Sequence, residues 1–162
     1  MKIKKLLHRR ERGQSFTELA ISLVFLLVLF SVIVDLGQAF YTLNTLRDVV
    51  QETASFASIC TNTDIVRKRF ISSASEATSV NLDDLKNSLQ ICYFNPSVGP
   101  ACITNPKEGH SVKVSIVYKH KVMVPFVSEF IGNNSFYNIP VEVTDTVLQT
   151  DKALVKGACK QP

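Results

Sequence analysis

The chain has 162 residues, 46% hydrophobic and 20% charged, with six glycines, six prolines and no tryptophan. This length and composition exclude a disordered chain and allow one ordinary domain plus an anchor. The net charge of +4 is local: residues 1–13 carry six basic residues against Glu11, a net of +5, and the remaining 149 carry 12 basic and 13 acidic residues, a net of −1. A basic nucleic-acid surface is therefore excluded.

The basic segment, Lys2 to Arg12, ends at Gly13, and Phe16 to Val34 follows as an apolar run interrupted by a single charge, Glu18. A membrane-spanning helix needs about 17–25 mostly apolar residues, so the run is long enough. No small-residue cleavage site follows it, since Asp35-Leu36-Gly37-Gln38-Ala39 stands there, and a cleaved secretory signal is disfavoured. The basic flank places the N-terminus in the cytoplasm by the positive-inside bias, and the remainder outside. The expected organisation is a basic cytoplasmic leader over 1–13, a long helix over 14–58 with its span at about 16–34, and an extracytoplasmic head over 59–162.

Beyond the span, Leu36, Ala39, Phe40, Leu43, Leu46, Val50, Ala54 and Ala57 recur in steps of three and four. That is one helical face, and it is expected to pack on the head. Asp64 to Ala77 reads as a second helix, with Arg67-Lys68-Arg69 on a solvated face. Asn81 is the expected cap of a short helical turn whose first residues include Asp83 and Asp84. The period then changes to two. Leu89, Ile91 and Tyr93 suggest a short strand. Val112 to Val124 is the clearest strand, its valines, Ile116 and Tyr118 on one face and Lys113, Ser115, Lys119 and Lys121 on the other. Pro125 ends it. A third strand is expected over Val141 to Leu148, and Gly132-Asn133-Asn134 punctuates the connection. The predicted fold is α+β: a long N-terminal transmembrane and amphipathic α-helix packed on a small antiparallel β-sheet head, as in pilins.

Cys60, Cys92, Cys102 and Cys159 all follow the span. No pair has zinc-site spacing. On the extracytoplasmic side disulfides are permitted. Of the three connectivities, Cys92–Cys102 with Cys60–Cys159 is favoured, because Cys92 and Cys102 bracket a loop rich in proline and glycine; free thiols are the alternative. His110 falls in a loop, and His120 falls on the apolar register of its strand, as a core or rim histidine would. No nucleophile triad, phosphate loop or paired-carboxylate motif is present. The reading is therefore not an enzyme, with no cofactor, no metal, no nucleic acid and no small-molecule substrate expected.

The head of the helix resembles the type III signal of type IV pilins and pseudopilins. In that signal a peptidase cuts after a glycine, and a glutamate stands at position five of the mature chain. Arg12-Gly13-Gln14-Ser15 with Glu18, followed by Asp35-Leu36-Gly37-Gln38-Ala39-Phe40-Tyr41 just past the span, resembles the TadE-like family, the minor pseudopilins of the Flp/Tad type IV pilus machinery. Leu19 follows the glutamate where that family carries an aromatic residue. The resemblance implies processing between Gly13 and Gln14 by a prepilin peptidase, and Glu18 as an assembly charge that meets the Gln14 amine of a neighbour. It also implies a juxtamembrane motif at Asp35, Gly37, Phe40 and Tyr41. The partners it implies are the membrane, the peptidase, other pilin or pseudopilin subunits and the assembly machinery. The location it implies is single-pass in the cell membrane, with entry into a surface filament. The alternative from the residues alone is an uncleaved, signal-anchored membrane protein with an extracellular binding domain.

Overall fold

The computed structural model describes residues 4–76, 81–122, 136–148 and 159, with the side chains of the first helix from Ser15 onward. Helix α1 runs Lys4–Ile59, α2 Thr63–Glu76 and α3 Leu82–Ser88; strands β1 Gln90–Phe94, β2 Ser111–Lys121 and β3 Phe136–Thr146 follow. The architecture is α+β, a long apolar helix with a three-stranded antiparallel sheet in the order β1-β2-β3.

α1 begins ten residues before the expected start at position 14. The segment Lys4 to Arg12 is built of Lys, Leu, Arg, Glu and one His, mostly good helix formers with no proline. Gly13 inside a helix costs only about 1 kcal/mol and does not break it. At about 1.5 Å per residue the 56 residues of α1 reach roughly 84 Å.

The stripe of α1 that the head buries coincides with the second half of the apolar face read in the sequence and departs from it in the first half. It comprises Asp35, Thr42, Leu46, Val49, Val50, Thr53, Ala54, Ala57 and Ser58, while Leu36 and Phe40 are each 65% exposed. Leu46, Val50, Ala54 and Ala57 of the expected face are buried as expected; the four polar residues of the stripe are what a hydropathy pattern leaves out. Thr42 and Thr53 are tolerated because each hydroxyl donates to a carbonyl one turn back, Gln38 at 2.9 Å and Val49 at 2.7 Å.

Asn62 caps α2, accepting from the backbone N–H groups of Asp64 at 3.0 Å and Ile65 at 3.3 Å. Val66, Phe70 and Ala74, four apart, face the core. Arg69 leaves the expected solvated face to pair with Glu52 of α1 at 2.7 Å, a half-exposed contact worth at most about 1 kcal/mol. The end of α2 expected at Ala77 lies outside the described residues. Asn81 caps α3 as expected, accepting from Asp83 N–H.

β2 alternates as predicted, with Val112, Val114, Ile116, Tyr118 and His120 buried. Its strand ends at Lys121; Val124, Pro125 and Gly132-Asn133-Asn134 lie outside the described residues. β3 starts at Phe136, five residues before the expected Val141, and carries Pro140 within it. Proline marks strand interiors as unlikely in a sequence, yet β3 is an edge strand, where a missing donor can face solvent. The core joins Leu46 and Val50 of α1, Phe70 of α2, Leu85 of α3 and the inner face of the sheet.

The far end of α1 is tied in four ways. Cys60 bonds Cys159, with Cα atoms 5.5 Å apart. Leu148 N–H donates to Ser58 O at 2.9 Å. Tyr93 of β1 reaches the last turn, its hydroxyl 3.2 Å from Ala57 O and 3.3 Å from Cys60 O. It thereby supplies a donor to carbonyls that a helix end leaves unpaired. Cys92 bonds Cys102 across the loop leaving β1, the same pairing that the sequence favoured.

Burial pushes the Tyr93 hydroxyl up from its ordinary 10.0 to about 12. A raised acid holds its proton in the folded state after the unfolded chain has lost it. The stabilisation is therefore complete below pH 10.0 and falls as pH rises towards 12, by about 2–3 kcal/mol in all. Unfolding by urea at pH 8 and at steps above 10 measures this. Tyr93→Phe is expected to lose about 1 kcal/mol at pH 8 and to show a shallower alkaline decline than the parent; parallel declines would contradict the assignment.

Candidate functional site

Two regions of α1 carry the features singled out in the sequence. The first is the run from Ser15 to Val34. Its large side chains stand open, from Phe16 at 72% exposed through Ile21, Phe25 and Phe30. None of the described residues of the head covers them, so the apolar surface is left for lipid or for other helices. By length and composition α1 can cross a membrane. Glu18 is exposed on this run, one turn beyond the basic segment. Gly13 and Gln14 lie within the helical backbone, uninterrupted from Lys4.

The second region begins where the run ends. Asp35 is buried against the head, the first residue of α1 to be so. Burial, and after it the charge of Asp35, raise the Tyr137 hydroxyl above its ordinary value. The Tyr137 ring lies 5.1 Å from that of His120, and His120 lies 6.4 Å from Tyr118. Nε2 of His120 is buried and makes no hydrogen bond among the described residues. His120 also lines a cavity of about 380 Å³ with Val34, Gly37, Gln38, Tyr41 and Thr42. A Cβ added to Gly37 would meet nothing within 4 Å, so internal packing does not require glycine there.

The juxtamembrane motif therefore divides. Asp35 turns into the head, Gly37 and the largely exposed Tyr41 border the cavity, and Phe40 points outward. The structure brings Tyr137 within reach of the Asp35 charge and sets its ring beside His120, a grouping that no spacing in the sequence connects. The alternation of β2 was the one available signal, since it placed His120 on the buried face. His110, by contrast, sits in the loop beside the Cys92–Cys102 bridge, where its Nδ1 accepts from Lys107 N–H at 3.1 Å. Among the described residues no three His, Cys, Asp or Glu side chains gather into a group that could hold a metal ion.

No curated protein and no solved structure matches the chain. Residues 13–55, from the glycine that ends the basic segment through the apolar run and into the buried stripe, match the family model described as TadE-like protein, so over its long helix this chain is similar to the TadE-like proteins.

Proposed function

We propose that this protein is a TadE-like minor pseudopilin, a structural subunit of a Flp/Tad pilus assembly or secretion system, processed by a prepilin peptidase between Gly13 and Gln14. The observation that carries the reading is the coincidence of the family match over 13–55 with a helix whose first apolar half stands exposed, uncovered by the described residues of the head. Such a helix has two fates in one protein: it crosses lipid before assembly and packs among like helices after it. The basic leader supports a cytoplasmic N-terminus. The two disulfides support a head in an oxidising compartment. In this reading the protein does no chemistry of its own; its partners are the peptidase, other pilin subunits and the membrane.

The mature chain is expected to begin at Gln14. Mass analysis of the N-terminal peptide, on protein taken from membranes of its native host, checks this. An intact Met1 would favour the signal-anchored alternative, and a start beyond Val34 would mean a secreted head; either result overturns the proposal.

A further inference from the structure

The outward face of the sheet is not uniform along its length. Far from the apolar run, Lys113 pairs with Glu142 of β3 at 2.6 Å. At the other end of the same face, Lys119 and Lys121 are exposed and have no ion-pair partner among the described residues. Around them stand Val117, 44% exposed, and Phe136, 52% exposed, the latter directly across from Lys121 in the β2–β3 register.

The height of this end is fixed by its contacts with α1. His120 shares a cavity with Val34, Gly37, Gln38, Tyr41 and Thr42, and Tyr137 packs beside His120 and feels the charge of Asp35. Strand positions 120 and 137 therefore stand level with helix positions 34–42, from the end of the exposed apolar run through the two turns beyond it. A bilayer's headgroup layer extends roughly 5–7 Å beyond its hydrocarbon on each side. Two strand residues span about 7 Å, so Lys121 starts at this layer and Lys119 lies about 7 Å from it, within reach of a lysine stem.

We propose that the membrane-proximal end of the sheet docks on anionic phospholipid headgroups, Lys119 and Lys121 taking lipid phosphates and Phe136 entering the interface beside them. The inference rests on the membrane-spanning reading of α1 given above. Exposed cations with no ion-pair partner among the described residues, beside an exposed aromatic ring at headgroup height, match the chemistry of that layer. Docking would hold the head upright over its anchor before assembly.

The test uses the full chain in vesicles of phosphatidylcholine, alone or with about a third phosphatidylglycerol. The protein has no tryptophan, so F136W, V98W and L27W each give a single reporter. Lipids brominated near the headgroup are expected to dim F136W about twofold more in the anionic vesicles than in the neutral ones. V98W, on the loop that leaves β1, should be unaffected. Adding K119E and K121E should remove the lipid dependence, since two lysines shift docking by about tenfold or more. L27W separates the two claims. If deeply brominated lipid fails to quench it, the span itself is wrong and the proposal falls with it. If L27W is quenched and F136W behaves as V98W does, the docking alone is wrong. The unaltered chain gives an independent reading: amine labelling of Lys119 and Lys121, relative to detergent, should fall in anionic vesicles and not in neutral ones. Equal labelling in all three overturns the docking.

Discussion

Replacing Cys60 and Cys159 together with serine is expected to lower the stability of the head by about 4–5 kcal/mol. The bridge closes a loop with a sequence separation of 99, and Cys60 is fully buried one residue beyond the end of α1. Chain-entropy reasoning gives a loop of that length about 4.7 kcal/mol, against about 2.8 for the Cys92–Cys102 loop, whose separation is 10. A domain of this size has about 5–15 kcal/mol in total, so losing the long bridge brings it closer to the margin than losing the short one does. Urea unfolding of the full chain in detergent, for the two double variants beside the parent, makes the comparison. Equal losses, or a larger loss for the short loop, would show that the bridge at Cys60 acts through something other than closure of the long loop.

Glu18→Ala is expected to leave the chain processed and inserted while lowering its entry into the assembly by more than about a hundredfold. Processing should survive because the cut follows Gly13. Insertion should survive because the change makes the span more apolar. Assembly should fail because the amine exposed at Gln14 of a neighbouring subunit would be left without its carboxylate inside an apolar bundle, and a buried charge stripped of its partner costs roughly 3–5 kcal/mol. Glu18 is exposed in the single chain, on the apolar run that a neighbouring helix would meet. Crosslinking to partner subunits, or co-purification with them, reads the result directly. Incorporation equal to the parent would refute the pairing.

Much of the architecture was legible because it rests on local patterns. The apolar run marked the span, period two marked β1 and β2, and Asn81 with its following aspartates marked α3. What escaped was governed by contacts between distant segments. The covered stripe of α1 opens with Asp35 and Thr42, polar residues that a hydropathy pattern assigns to water; the head covers them because Tyr137 and His120 lie opposite and because Thr42 satisfies its own hydroxyl. Leu36 and Phe40 were read as head-facing for the converse reason: they are apolar, but they sit on the side of the helix the head does not reach. β3 begins five residues before the expected Val141, and only the sheet order reveals that Pro140 sits on an edge strand that can hold it. At the candidate site, Gly13, Gln14 and Glu18 were visible as a motif, whereas the grouping of Asp35 with residues 120 and 137 depends on how the sheet is laid along the helix.

The sulfur bridge at the far end of α1 has a mechanical consequence. It joins position 60 directly to position 159, so everything between them hangs from the main covalent path as a closed side loop. Tension applied between the two termini would travel along the helix, cross the sulfurs and leave through the last three residues. The strands would lie outside that load path, and pulling on the ends would stretch a rod while leaving the sheet's hydrogen bonds unloaded.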